Sequence, residues 1–154
     1  MPKSYENPRF AYRRAAGFYE HADLLDELYE VSSSGLSALN VRTVRAVARR
    51  LGITTSVHVA SELDALPEQA DERLIELCRR MGADRYLAGA GGQDYMDLSR
   101  WRRAGIRVEF QQFDHPVYTQ LHGPFVPYLS AVDLMFNAGA DGLAVLRRSR
   151  KEAA

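Results

Sequence analysis

The stretch DERLIELCRRMGADRYLAGAGGQDYMD, residues 71–97, decides the fold, because it predicts a helix, a strand and a glycine-rich loop in succession. Asp71 stands at a cap position and Gly82 at an end position, so we predict a helix over residues 71–82. Its inward face carries Leu74, Leu77, Cys78 and Met81. The run DRYLAG predicts a strand over 84–89. A helix closed by glycine and followed at once by a strand is typical of α/β proteins.

The alternation of helix and strand continues on both sides of this stretch. Upstream, residues 36–52 predict a helix whose buried stripe carries Val41, Val44, Ala48 and Leu51, and ITTSVHVA predicts a strand over 53–60. Downstream, we predict a helix over 96–104 and a strand over 106–113. Right-handed crossovers would place these strands side by side. The order therefore predicts a three-layer parallel sheet with flanking helices, a Rossmann-like α/β fold with an incomplete N-terminal half.

Helices are also predicted outside this alternation. Residues 23–30, DLLDELYE, have Asp23 at a cap position and Leu24, Leu25 and Leu28 on one face. Two later runs predict helices over 130–139 and 141–150. The segment between the last strand and these helices, DHPVYTQLHGPFVPY, is too rich in Pro and Gly to be regular.

Composition and charge narrow the class of protein. A chain of 154 residues with 46% hydrophobic and 26% charged residues fits one globular domain over 1–154. A formal net charge of zero argues against nucleic acid, and the arginines at 42, 45, 49 and 50 are interpreted as a solvated helix face. Cys78 is the single cysteine and is interpreted as a core residue. With no apolar run near the roughly 20 residues of a membrane span, we expect a cytoplasmic protein without a membrane partner.

The glycines of the loop, Gly89, Gly91 and Gly92, allow two interpretations. They could adopt positive φ and bring backbone N–H groups close to an anionic ligand, or they could form a plain turn between a strand and a helix. In open α/β sheets ligands bind beyond the carboxyl ends of strands. This loop follows the second predicted strand and the His-Pro segment follows the third, so we expect the two to converge on one edge and form a site.

Asp94, Tyr95 and Asp97 follow the loop directly. Two carboxylates three residues apart could share a metal or divide acid and base roles. The plainer interpretation is that one of them caps the next helix. No pair of His, Cys or acidic residues has a zinc spacing, so no metal site is predicted, and the pattern names no cofactor.

The segment after the last predicted strand carries His115, Tyr118, Gln120 and His122. His115 precedes a proline, which favours an extended backbone, and could act as a general base. The plainer interpretation, a half-buried or surface histidine, is slightly favoured. Further on, Ser130 and Asp133 match a capping box, and Asn137 is interpreted as a helix-end residue.

These segments together resemble a known family. LGITTS, ERLIELCRRMGADRYLAGAGGQDYMD and AGIRVEFQQFDHPVYTQLHGPFVPYLSAVDLMFNAG resemble the WbqC-like family, from about Leu36 to Gly139. The motif positions that carry the resemblance are Gly89, Gly91, Gly92, Asp94, Tyr95, Asp97, His115, Pro116, Tyr118, Gly123, Ser130, Asp133 and Asn137. Ala88 and Tyr128 depart from the residues that the family often has there.

The resemblance implies a bacterial cytoplasmic transferase of surface-polysaccharide, O-antigen or secondary-metabolite biosynthesis. The implied reaction moves an amino acid or acyl group onto an amino sugar, with a nucleotide-activated amino sugar as the small-molecule substrate. On this hypothesis the glycine loop, Tyr95 and Gln120 bind ligand. His115 takes the proton from the attacking amine, assisted by Tyr118, and Asp94 or Asp97 orients the acceptor.

The family's opening strand and turn have no counterpart before Ser4. We therefore also consider a non-catalytic binding or assembly module, a family core without its catalytic N-terminal segment. A sheet that lacks a neighbouring strand exposes apolar surface, so we expect either a homo-oligomer or a partner chain that supplies the missing strands.

Overall fold

The computed structural model describes residues 3–29 and 35–148, with side chains from residue 8 onward. The chain divides into two compact units. The helical unit comprises the described residues of Met1–His58 and His115–Ser149, and the sheet unit comprises those of Val59–Asp114. No helix in the described ranges is long and apolar enough to cross a membrane.

The helical unit contains five α-helices among its described residues, α1 Lys3–Tyr12, α2 Phe18–Tyr29, α3 Gly35–Arg50, α6 Ala131–Ala138 and α7 Gly142–Arg148. Its core has two clusters, one around Phe18, Leu25 and Phe136 and the other around Leu24 and Met135. Gly17 is needed here for close packing, because a Cβ on it would lie 2.5 Å from the Cα atom of Gly139. The turn before α2 therefore packs directly on the end of α6.

The sheet unit contains α4 Ala70–Arg80, β1 Arg85–Ala88, α5 Leu98–Arg103 and β2 Arg107–Phe110. The two strands pair in parallel, with Arg85 opposite Arg107 and Ala88 opposite Phe110. The core packs Ile75, Cys78, Trp101 and Ile106 together, and Tyr86 stacks on Trp101 with ring centroids 4.7 Å apart. The α/β class, the parallel pairing and the core position of Cys78 are confirmed.

The strand predicted over 53–60 is wrong. Residues 53–58 are exposed and belong to neither strand of the described sheet, and Ala60–Glu62 is a short 3₁₀ helix. β-Branched residues favour a strand mainly through packing on a pleated surface, and this run has no such surface among the described residues. The structure is therefore mostly helical with a sheet of two strands.

Several helix details also differ from the predictions. Gln69, not Asp71, caps α4, since its Oε1 accepts the Glu72 N–H at 2.7 Å. Asp23 lies inside α2 and pairs with Arg50 at 2.7 Å. Two residues of the predicted inward faces are exposed, Val44 at 56% and Met81 at 45%. Helix α3 carries apolar residues on more than one face, so its sequence fits more than one buried stripe. Packing buries Ala46 instead of Val44.

Several local predictions are confirmed in outline. Leu24 and Leu25 are buried, and Gly52, Gly82 and Gly105 have the positive φ of residues that end helices. The segment between β2 and α6 forms no helix. Glu30 and residues 149–150, at the ends of two predicted helices, lie outside the described residues.

Candidate functional site

The beginning of α6 places a carboxylate in the interior of the helical unit. Ser130 caps this helix as predicted, since its Oγ accepts the Val132 N–H at 3.2 Å. Asp133 does not complete a capping box. Its side chain is buried, with only 5% of the residue exposed, and it accepts hydrogen bonds from elsewhere in the unit. The predicted role of Ser130 is therefore confirmed, and the capping role of Asp133 is wrong.

Each of the two carboxylate oxygens of Asp133 accepts two hydrogen bonds. The Tyr12 hydroxyl donates to Oδ1 at 2.6 Å, and Asn137 Nδ2 donates to the same atom at 3.1 Å. The Tyr118 hydroxyl donates to Oδ2 at 2.7 Å, and Gln120 Nε2 donates to it at 3.1 Å. All of these donors are neutral. An ionised carboxylate has about four acceptor positions, so these contacts satisfy it.

The amides around Asp133 also fix the irregular segment after β2. Asn137 Oδ1 accepts the Leu121 N–H at 2.8 Å. Gln120 Oε1 accepts the Val126 N–H at 2.8 Å, and Gln120 Nε2 donates to the Val126 carbonyl at 2.9 Å. A segment without regular structure thus satisfies its backbone through side chains. Asn137 is a member of this network in addition to its place near the helix end.

The two phenols beside Asp133 are held protonated. Burial and then the hydrogen bond to Asp133 raise the pKa of Tyr118 to about 12. The same causes raise the pKa of Tyr12 above its ordinary value. Burial and a nearby negative charge both disfavour a phenolate. At neutral pH both hydroxyls therefore remain hydrogen-bond donors.

A cavity of about 420 Å³ lies beside Asp133 in the helical unit. Most of its wall is apolar and is formed by Pro8, Leu25, Leu28, Val47 and Val132. Two aromatic rings, Tyr12 and Tyr29, also line it, and its polar residues are Thr43, Ser130 and Asp133. An apolar cavity of this size with a few convergent polar groups is typical of a small-molecule site.

His115 belongs to the same unit and has both ring nitrogens engaged. Its Nε2 accepts the Tyr128 N–H at 3.0 Å, so Nδ1 carries the proton and donates to the Pro116 carbonyl at 2.9 Å. The ring centroids of His115 and Tyr118 are 6.5 Å apart. The structure therefore brings three predicted site residues, His115, Tyr118 and Gln120, into one unit, and two of them contact Asp133.

The glycine loop lies in the sheet unit and forms a short helical turn. Residues Ala90–Asp94 form a 3₁₀ helix, and none of Gly89, Gly91 and Gly92 has positive φ. Gly92 is needed for packing, since a Cβ on it would lie 2.9 Å from Met96 Sδ and 3.1 Å from Phe110 Cε1. A Cβ on Gly89 or Gly91 would meet no atom within 4 Å. The backbone therefore does not use positive φ here, the space beside two of the glycines is open, and ligand binding by this loop stays a prediction.

The acidic residues after this loop have different roles. Asp97 caps α5, accepting the Ser99 N–H at 3.0 Å and the Ser99 hydroxyl at 2.6 Å. These bonds, followed by its ion pair with Arg100, lower the pKa of Asp97. Asp94 and Tyr95 are exposed. The capping interpretation is confirmed for Asp97, and the convergence of this loop with the His115 segment stays a prediction.

Sequence reasoning missed Tyr12 and the inward role of Asp133. The spacing of Asp133 and Asn137, one helical turn apart beside a Ser cap, was a usable signal. Tyr12 carried no signal, since it lies 121 residues from the carboxylate that it binds. Within the described residues, no group of His, Cys, Asp and Glu could hold a metal ion.

Fold and site define an α/β protein with a buried carboxylate beside an apolar cavity. The chain belongs to the WbqC-like protein family, which matches residues 3–145 and so extends beyond the expected 36–139. It is similar to the uncharacterized protein Rv1507c of Mycobacterium tuberculosis, with 36% identity over 144 residues that cover 92% of this chain. The chain spans 62% of the length of that relative. No solved structure matches the chain significantly.

Proposed function

We propose that the chain is the core of a bacterial transferase that moves an amino acid or acyl group onto an amino sugar in surface-polysaccharide or secondary-metabolite biosynthesis. Membership of the WbqC-like family supports the proposal. The observation that carries it is the network around Asp133, because the family motif residues Tyr118 and Asn137 bind one buried carboxylate and Tyr118 lies beside His115, with ring centroids 6.5 Å apart. Motif residues that meet in space favour a functional site over separate structural roles.

Transfer to an amine needs a base, because the attacking nitrogen loses a proton as the amide bond forms and the bond from the acyl carbon to the donor's leaving group breaks. His115 is proposed for this role, with Nε2 as the accepting atom. That atom now accepts the Tyr128 N–H, so this bond must open first. Tyr128 is 82% exposed and has a φ of 60°, which is unfavourable for a tyrosine. A strained and exposed residue is well placed to release the imidazole.

The sheet unit is proposed to bind the anionic part of a substrate at its glycine loop. The open space beside Gly89 and Gly91 supports this, since a ligand could approach the backbone there. Asp94 and Tyr95 are exposed next to the loop and are assigned to ligand orientation. Asp97 is not assigned a catalytic role, because its carboxylate already caps α5.

The test combines binding with turnover. Melting temperatures are measured with a nucleotide-linked amino sugar and with the same nucleotide sugar carrying a hydroxyl in place of the amine, and product is followed by mass spectrometry with an activated amino acid. We expect a higher melting temperature with the amino sugar and formation of an amide. No response to any nucleotide sugar would overturn the proposal.

His115→Ala should abolish turnover and keep the rise in melting temperature. His122→Ala is the matched control, since His122 is an exposed histidine of the same segment whose Nε2 donates to the Ala11 carbonyl. Normal turnover by His115→Ala would remove His115 from the mechanism.

A second candidate function is a non-catalytic binding or assembly module. One observation favours it, because both nitrogens of His115 are engaged by backbone groups, as in a structural histidine. On this candidate, His115→Ala lowers the melting temperature of the free protein more than His122→Ala does, and no amide forms with either protein.

A further inference from the structure

From the geometry beside Asp133, we infer that the 420 Å³ cavity of the helical unit binds an organic cation, an ammonium group carried on an apolar body. The inference is independent of transfer chemistry, because it needs only the cavity and the charge at its wall. It concerns a ligand class that neither the family match nor the relative's name states.

The first step is the charge of Asp133. Its oxygens accept from amide N–H groups of Asn137 and Gln120, and the orientation of each amide is fixed by a backbone N–H that its own oxygen accepts. Accepting on both oxygens is the pattern of an ionised carboxylate. No Lys, Arg or His forms an ion pair with Asp133 in the described ranges. The wall of the cavity thus carries a negative charge that neutral donors solvate but do not cancel.

The second step is how a ligand would use this charge. Tyr12 lines the cavity and donates its hydroxyl proton to Asp133 at 2.6 Å. Its oxygen keeps lone pairs that can accept from an ammonium group, and the carboxylate behind it strengthens this acceptor. Tyr12 and Tyr29 both line the cavity, and an ammonium group that meets the face of either ring gains cation–π attraction. Asp133 therefore acts through Tyr12 and keeps all its present hydrogen bonds.

The third step excludes other ligands. Leu25, Leu28 and Val47 form much of the remaining wall and favour an apolar body. An anion would meet the Asp133 charge at low dielectric and be repelled. A sugar or polyol would leave most of its hydroxyls without partners against these walls. An apolar ammonium satisfies both the charge and the walls.

The experiment uses three probes of similar shape on the full chain: benzylammonium, benzyl alcohol and benzoate. Calorimetric titration should show benzylammonium binding about tenfold more tightly than benzyl alcohol, as expected for a partly desolvated cation–π and charge interaction. Benzoate should not bind. Equal binding of the three probes, or no binding of benzylammonium, would overturn the inference.

Two variants on one helix locate the site. Val47→Phe fills the cavity and should abolish benzylammonium binding, while Val44→Phe places the same side chain at a position that is 56% exposed and should leave binding unchanged. Unchanged binding by a folded Val47→Phe protein would place the probe elsewhere and overturn the assignment.

Tyr12→Phe keeps the ring and removes the hydroxyl, so it should reduce the preference for ammonium over alcohol without requiring any change of core volume. A preference that stays tenfold would contradict the role of Tyr12. The probes contain neither sugar nor nucleotide, so this result and the transferase test succeed or fail separately.

Discussion

Asp133 and Asp71 are two buried carboxylates placed in the same way in different units. Each lies in the first turn of a helix, Asp133 in α6 and Asp71 in α4, and their exposed fractions are 5% and 7%. Each accepts a hydrogen bond from an aromatic side chain. The positive end of a helix dipole favours a carboxylate at such a position.

The two carboxylates differ in what surrounds them. Trp101 Nε1 donates to Asp71 at 2.9 Å from within the packed core of the sheet unit, where Trp101 is 1% exposed. Asp133 instead lies at the wall of a cavity. Burial and hydrogen bonding alone therefore do not define a ligand site. The cavity distinguishes a carboxylate that can act on a ligand from one that only holds its unit together.

The largest expected effect is that of Asp133→Ala. It leaves two phenols without their acceptor and removes one of the two acceptors of each amide, Gln120 and Asn137. At about 1–3 kcal/mol for a buried unsatisfied donor, partly relieved by water in the cavity, we expect a loss of about 4 kcal/mol. Urea unfolding measures it, and the Leu121 and Val126 amides should lose hydrogen-exchange protection. Asp94→Ala, at an exposed carboxylate, is the control and should cost nothing measurable. A loss no larger than that of the control would show that the network does not stabilise the unit.

The next prediction compares the stability lost when one hydrogen-bond donor is removed from each carboxylate. Trp101→Phe removes the one short hydrogen bond to Asp71, whose other donors lie at 3.3 and 3.4 Å, so we expect a loss of about 2 kcal/mol. Tyr118→Phe leaves Asp133 with its other donors, and we expect a loss of about 1 kcal/mol. Unfolding in urea, followed by circular dichroism, measures both. The reverse order would mean that Asp133, and not Asp71, depends on a single donor.

The loss of folding stability at acid pH should depend on Asp71. The hydrogen bond from Trp101 is the main cause that lowers the pKa of this carboxyl. The unfolded chain therefore binds more protons than the folded one below the ordinary Asp value of about 3.9. Stability from Asp71 is present above that pH and is lost as the pH falls through the folded pKa. In Trp101→Phe the stability should fall less steeply on acidification than in the unmodified chain. Urea midpoints measured from about pH 2 to about pH 6, on both sides of the ordinary Asp pKa, would show this. Parallel curves would contradict the coupling.

Local pattern accounts for what could be predicted from the sequence. The Ser130 cap, the glycine ends of helices and the strand at Arg85–Ala88 all depend on neighbours in the chain, and all are confirmed. Contacts between distant residues could not be predicted in this way. Tyr12 meets Asp133 across 121 residues, and the strand expected over 53–60 fails because a strand needs a partner that its own residues do not encode.

The smallest effect tests the cavity itself. Val47→Ile adds one methylene where the wall of the cavity leaves space, so we expect the free energy of unfolding to change by no more than about 0.5 kcal/mol. Ala88→Val is the comparison in the sheet unit and adds two methylenes, at a residue that is 4% exposed and whose Cβ lies 3.2 Å from where a Cβ on Gly92 would be. Overpacking there should cost about 1–3 kcal/mol. Since both variants only add bulk, equal losses by urea unfolding would mean that the space beside Asp133 is closed in solution, and the distinction between the two carboxylates would then fail.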